Sequence, residues 1–150
     1  MRSNHHYVHL AIMTVLSFIS MYVLMYAMVD RFANVYSNRN QFYMAGLMTA
    51  SMVLIELALM GSMYKTRNAN IVIVAIAVVA LGVFFLGIRQ QVAIGDKSFL
   101  RSMIPHHAGA ILMCERAPIQ DAEIKKLCGE IISSQQREID QMKSILARLM

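Results

Sequence analysis

Residues 96–113, DKSFLRSMIPHHAGAILM, gather two adjacent histidines and two methionines within a few helical turns, and Cys114 follows directly. Thioether, imidazole and thiolate are the donors that soft ions such as Cu(I) and Ag(I) prefer. At helical spacing Met103, His107, Ala110 and Cys114 lie close to one face, and His106 and Met113 form a neighbouring stripe. A lone methionine or cysteine at such a position usually packs a core. Adjacent histidines flanked by methionines bring a ligand set level with core packing, because histidine is the commonest metal ligand and is seldom paired in a core. The candidate metal ligands are therefore His106, His107, Met103, Met113 and Cys114.

A resemblance rests on the same residues. Asp96, Phe99, Met103, His106, His107, Ala110 and Met113 follow the pattern D-x-x-F-x-x-x-M-x-x-H-H-x-x-A-x-x-M. Further on, Ile131, Gln135, Glu138, Ile139 and Met142 follow I-x-x-x-Q-x-x-E-I-x-x-M. In both motifs the last third of the chain resembles the domain of unknown function 305 family. The resemblance implies a ferritin-like helical fold and, as in some members, copper binding through Met and His, which adds Met142 to the candidate ligands. Cys114 departs from the pattern, standing where a small residue often follows the second methionine.

The rest of the chain has a different composition. Of 150 residues, 57% are hydrophobic and only 15% charged, which is unusual for a soluble globule of this size. The apolar residues concentrate before residue 89, so a membrane part (1–94) precedes a polar helical hairpin domain (95–150). The formal charge of +5 is divided between both parts, and no basic stripe with interleaved aromatics suggests nucleic-acid binding. Two cysteines are too few for a disulfide framework, and the 14 methionines are the compositional outlier.

Three spans are expected, at about 7–29, 42–63 and 70–88, each long enough to cross a bilayer as a helix. The first is too long for a signal-peptide core and reads as a retained anchor. Met21, Met25 and Met28 share one of its faces. Upstream, His5 and His9 share a stripe with Met13 while His6 sits beside them, a possible N-terminal metal site whose plainer reading is a polar membrane-edge cluster. On the second span Met44, Met48 and Met52 step by four, with Glu56 and Met60 continuing the series. An ionisable group at bilayer depth costs several kcal/mol unless paired, protonated or hydrated, so Glu56 invites a proton or cation role, or a hydrogen bond to Ser51, Thr49 or Tyr22. The third span has no methionine but carries Ala75, Ala80, Gly82 and Gly87, which suit close helix contact. The expected arrangement is a Met-lined seam between the first two helices, braced by the third.

The hairpin must position the donors. Gly95 can end one helix and Asp96 cap the next; Pro105 should kink that helix or start a new segment, and Pro118 closes it. Asp121 suits the cap of a final helix whose amphipathic face runs from Ile124 through Leu127, Cys128, Ile131, Gln135, Ile139 and Met142 to Leu146. Folding about Ile119 sets Met103 and His107 level with Ile131, Ile132 and Gln135, and brings Phe99 towards Ile139 and Met142. Gln135 and Glu138 then orient a histidine from behind. Cys114 and Cys128 come out offset by roughly 6 Å at 1.5 Å per residue, which does not favour a disulfide. Two helices alone are marginal, so a homodimer forming a four-helix bundle, or packing on the membrane part, should complete the fold.

The sequence thus predicts an all-α membrane protein that binds Cu(I) or Ag(I) for metal tolerance or delivery, with lipid, the metal ion and a second copy as partners. A structural or assembly module with no metal role is the alternative. A ferritin-like redox enzyme is weaker, because no Glu-x-x-His occurs, and no nucleophile–base set suggests other catalysis. Placement is contested. Arg31, Arg39, Arg89, Lys97 and Arg101 outnumber Arg2, Lys65 and Arg67 on the opposite side, which favours a cytoplasmic tail. The resemblance, whose members are mostly exported, favours a periplasmic one, and a thioether site keeps its ligands under oxidising conditions. The expectation is a bacterial inner-membrane protein with its C-terminal domain in the periplasm.

Overall fold

The computed structural model describes residues 2–150, with side chains from His5 onward, so the Arg2 charge weighed above lies outside the described side chains. Five α-helices and no strand occur among the described residues: α1 (Arg2–Leu24), α2 (Arg39–Leu59), α3 (Arg67–Arg89), α4 (Asp96–Arg116) and α5 (Ala122–Leu149). Three helical segments, His5–Met28, Arg39–Leu59 and Arg67–Arg89, are long and apolar enough to cross a membrane. The chain divides into two compact units, residues 1–24 with 40–92, and residues 25–39 with 93–150. The α1–α2 connection groups with the hairpin.

The three-helix unit makes its contacts with small side chains. On α2 the buried residues are Ala45, Gly46, Thr49, Ala50, Val53 and Leu57. A Cβ on Gly46 would sit 2.5 Å from the Phe84 ring, and one on Gly87 would sit 3.3 Å from the Tyr43 ring. Close contact through α3 was expected, but only Ala77 and Gly87 of that helix are buried, while Ala75 and Gly82 are exposed. Between the helices lies an apolar cavity of about 580 Å³. Helix α2 stops at Leu59, four residues short of the expected end: the Met60 N–H closes the last helical bond on Glu56, and Met63 then turns back on Met60. Past α3, Gln91 adopts a left-handed conformation (φ 50°) that glycine usually fills. It is held there by a reciprocal side-chain amide pair with Asn40, at 3.0 and 3.1 Å.

In the second unit α4 and α5 form the hairpin. Leu100, Ile104, Ala108 and Ile111 of α4 interlock with Ile139, Met142 and Leu146 of α5. Val29 and Tyr36 of the α1–α2 connection cover this core, which supplies surface that a bare two-helix hairpin lacks. The connection runs through 3-10 turns at Met25–Met28 and Phe32–Asn34. Its Asp30 carboxylate accepts from Arg31 Nε (2.7 Å) and from Asn34 Nδ2 (2.6 Å). The Arg31 guanidinium is held above its ordinary range by that hydrogen bond and the charge of Asp30, with Glu115 and Asp140 adding to the effect.

Helix caps decide the hairpin ends. Asp121 Oδ1 accepts from the backbone N–H of Glu123 (2.9 Å) and Ile124 (3.0 Å), as its sequence position suggested. At the other end Gly95, in extended conformation, precedes the first turn, and Asp96 lies inside that turn, where its charge suits the helix dipole. Pro105 lies within an α4 that continues unbroken from Asp96 to Arg116.

The expected register is off by about one turn. Cys114, set level with Ile124 by a fold about Ile119, lies against Cys128, a displacement of about 6 Å along the helix, and the His107 side chain reaches Glu138 and not Ile131. Phe99 is exposed, and Leu100 takes the core position. The cause is the connection. Ala117 (ψ 134°) and Asp121 (ψ 131°) are extended, but between them the Ile119 N–H bonds back to the Ala117 carbonyl at 2.8 Å, so the chain turns about Pro118 and does not fold symmetrically about Ile119. The same shift brings Cys114 and Cys128 together as a disulfide, with Cα atoms 5.2 Å apart, contrary to the sequence geometry.

Candidate functional site

His107 is the most constrained of the predicted donors. It is 7% exposed, and both ring nitrogens are engaged. Nδ1 lies 3.0 Å from the Met103 carbonyl and Nε2 lies 2.7 Å from Glu138 Oε2. A carbonyl only accepts, so Nδ1 carries a proton. Nε2 faces a carboxylate, so a second proton must sit between the two, on the imidazole or on Glu138. The orienting carbonyl belongs to Met103, one turn back, and not to Arg101, whose partner Pro105 removes. Glu138, expected to orient a histidine from behind, lies against the second ring nitrogen of His107. Gln135 makes no side-chain hydrogen bond to either histidine among the described residues.

The other donors separate by exposure. His106 is exposed, its ring centroid 6.2 Å from that of His107, and it has no hydrogen-bond partner among the described residues. Met103, three residues earlier, is half-buried against the hairpin core. Met113 is 55% exposed and two turns further on, about 10 Å away along the axis, too far to share an ion with His106. Met142 is buried among Leu100, Ile104 and Leu146. Cys114 is joined to Cys128, so it offers no thiolate while oxidised, which corrects its place in the ligand set. No group of three or more His, Cys, Asp or Glu side chains with metal-holding geometry occurs among the described residues. Met103 and His106 share one stretch of surface, and His107 can join them only by leaving Glu138.

Residues 89–149 match the family model described as Domain of unknown function (DUF305). A curated relative, an uncharacterized protein of Acanthamoeba polyphaga mimivirus, is 35% identical over 139 residues, covering 90% of this chain and 89% of that protein. The chain belongs to this family. No solved structure matches it. The DUF305 segment contains all of α4 and α5, and the similarity to the viral relative extends beyond it into the apolar helices.

Outside the DUF305 segment the expected Met-lined seam does not form. Met44 and Met48 are 40% and 42% exposed, because the small residues one step along α2 take the contact face. Met52 packs on the core of the three-helix unit, and Met21 Sδ accepts from Thr49 Oγ1 at 3.6 Å. Met25 and Met28 lie in the 3-10 turn beyond α1, in the other unit, and Met60 lies past the end of α2. His5 and His9 stack with ring centroids 4.4 Å apart, as their spacing suggested, whereas His6 turns towards the Tyr64 ring.

Glu56 has a partner the sequence reading missed. Tyr64 Oη donates to its Oε1 at 3.1 Å, while Ser51 and Thr49 bond elsewhere. Burial pushes the Tyr64 phenol above its ordinary value, and the bond to Glu56 adds to the rise. Around it, Tyr7 Oη donates to Asn70 Oδ1 (2.7 Å), and Asn70 Nδ2 donates to the Tyr64 carbonyl (2.7 Å). The only sequence signal for this cluster was Glu56 itself, a charge near the end of an apolar run. For Cys128 the signal was plainer, an even number of cysteines on two facing helices.

Proposed function

We propose that this protein is a membrane-anchored binder of soft monovalent metal ions, Cu(I) or Ag(I), serving metal tolerance or delivery, with no catalytic step. One observation carries the proposal: the exposed imidazole of His106 stands one turn from the half-buried Met103 thioether, with a second imidazole beside it. A nitrogen and a sulfur donor at the surface suit a soft ion of low coordination number. The bond of His107 to Glu138 is a small obstacle. Glu138 is 51% exposed and the His107 side chain 9%, and giving up a hydrogen bond of that kind costs about 1–3 kcal/mol. A micromolar ion brings about 8 kcal/mol. Met142 stays in the core, since withdrawing it would sacrifice about 2 kcal/mol of burial. A homodimer would add a second Met103–His106 pair and make a four-donor, ferritin-like bundle.

The bilayer is the proposed setting of α1, α2 and α3, on their length and hydropathy. Pairing of Cys114 with Cys128 supports an oxidising compartment for the hairpin, which in a bacterial cell is the periplasmic side of the inner membrane. The test is silver titration of the intact, disulfide-bonded protein in detergent. Binding should saturate at one ion per chain, or one per two chains for a dimer, and disappear in a His106→Ala/His107→Ala variant of unchanged helix content. The competing reading, a structural or assembly module, is favoured by the engagement of both His107 nitrogens. Equal silver uptake by wild type and the double variant would make that reading the better one.

A further inference from the structure

The cross-link lies at the loop end of the hairpin, away from the histidines. Cys114 is near the end of α4, Cys128 is in the second turn of α5, and both are half-buried. Glu115, Arg116 and Lys125 around them are exposed, so solvent reaches this end. The fully buried residues Ile104, Ile111 and Ile139 form a core that is continuous without the two sulfurs. Neither Cys128 nor the pairing takes part in the Met103–His106 site.

We propose that the Cys114–Cys128 pair is a reversible gate: oxidised it cross-links the hairpin, and reduced it is a two-thiolate site for one Cu(I) or Ag(I) ion. The choice of ion class rests on the soft-metal reading of the hairpin, but the site uses none of the same donors. Opening the gate takes a low-molecular-weight thiol as reductant. Its thiolate attacks one cysteine sulfur and breaks the S–S bond, and the resulting mixed disulfide is displaced by a second thiolate. Two external thiols become one disulfide, and two cysteine thiols are left. The ion then displaces both thiol protons, and each sulfur donates a lone pair to it. A disulfide of the same class reverses the sequence, taking the two electrons back and releasing the ion.

Geometry suits an ion that needs only two ligands. A thiolate–metal bond of about 2.3 Å places two sulfurs about 4.6 Å apart around a linear centre. Side chains rooted on Cα atoms 5.2 Å apart span that distance by rotating about χ1. Zinc, which takes four protein ligands in a structural site, finds no third or fourth donor here, in keeping with the absence of any three-residue His, Cys, Asp or Glu group among the described residues. Cross-link and ion exclude each other, because a sulfur bonded to sulfur is no thiolate. Binding to the reduced form therefore protects it from reoxidation by mass action.

The experiment compares the oxidised full chain with the chain reduced and then freed of reductant, in detergent and without oxygen, by equilibrium dialysis against silver nitrate with ammonia as the competing ligand. Reduced protein should retain one more silver ion per chain than oxidised protein. Cys114→Ser and Cys128→Ser should each abolish the additional ion, and His106→Ala/His107→Ala should keep it. In the reduced wild type, silver should shield both thiols from alkylation together. No additional ion on reduction, or its retention in either serine variant, overturns the gate. If a serine variant loses helix content, the alkylation result decides, and unprotected thiols overturn the proposal. Should reduced protein gain its ion while the oxidised form binds none, the histidine site fails and the gate stands; the opposite pattern rejects only the gate.

Discussion

The hairpin unit and the three-helix unit bury apolar side chains to very different extents. In the hairpin Ile104 and Ile139 are wholly enclosed, and most of the exposed residues are polar, although Phe99, Met113, Ile124 and Leu127 are exposed as well. In the three-helix unit Val79, Ile76 and Leu59 stand 64%, 63% and 77% exposed, and the buried face of α2 is mostly Ala, Gly, Thr and Val. This is the contrast expected of one chain adapted to two solvents. Where water is the surroundings, large side chains must be hidden. Where lipid is the surroundings, helices gain little by hiding leucine and associate through small residues instead. The candidate ligands cross this division: His106 and His107 lie on the hairpin, His5, His6 and His9 on α1 of the apolar unit.

The largest test of this contrast is a matched pair of truncations. Ile139→Ala removes a wholly buried side chain and should destabilise the hairpin by about 2–5 kcal/mol. Val79→Ala, on an exposed face of α3, should change stability by less than about 0.5 kcal/mol. Hydrogen exchange of the α4 and α5 amides, and of the α2 and α3 amides, reads the two effects separately in the full chain. Comparable losses at both positions would mean that Val79 is buried against another protein surface and not against lipid.

Next in size is Gly46→Ala, which probes packing through small residues. A Cβ there would meet the Phe84 ring at 2.5 Å, so the ring must move, at a cost of about 1–3 kcal/mol. Phe84→Leu should relieve most of the loss, and the double-mutant cycle measures the coupling. Additive effects would show that the two helices do not meet at that point. On the water-adapted side the comparable local device is the α5 cap. Asp121→Ala gives up two backbone hydrogen bonds and should cost about 1 kcal/mol, confined to exchange in the first turns of α5.

The elements were more legible in the sequence than their mutual placement. Runs of apolar residues located three helices to within a few residues, and Asp121 marked the start of the last. Helical spacing also grouped Met103 with His107 and His106 with Met113 on two neighbouring stripes, and the structure buries His107 and exposes His106 and Met113. What failed was each step that depended on distance between elements. A helix apolar on every side does not announce its contact face, so the four-residue methionine ladder on α2 was assigned inward when Ala45, Thr49 and Val53 hold that face. The connection does not fold symmetrically about Ile119, and this displaced the register and hid the cysteine pairing. The docking of residues 25–39 on the hairpin left no sequence signal beyond Val29 and Tyr36, two ordinary apolar side chains in a polar loop.

The smallest expected effect concerns Tyr64, a buried phenol bonded to an acid, which lies in the α2–α3 connection outside either apolar span. Tyr64→Phe removes its hydrogen bond to Glu56 and should cost about 1 kcal/mol at neutral pH. The phenol's folded pKa lies above the ordinary value of 10.0, so the folded state favours the protonated form. That contribution is complete below the unfolded value and is lost as pH rises through the higher folded one. The stability gap between wild type and Tyr64→Phe should therefore hold steady up to about pH 10 and close above it. Denaturation of both proteins in detergent across that range measures the gap, and other alkaline titrations cancel in the difference. A gap that widens with pH would mean the ionised phenolate is the form the fold prefers, and would place a cation near Glu56 that the three-helix unit does not otherwise show.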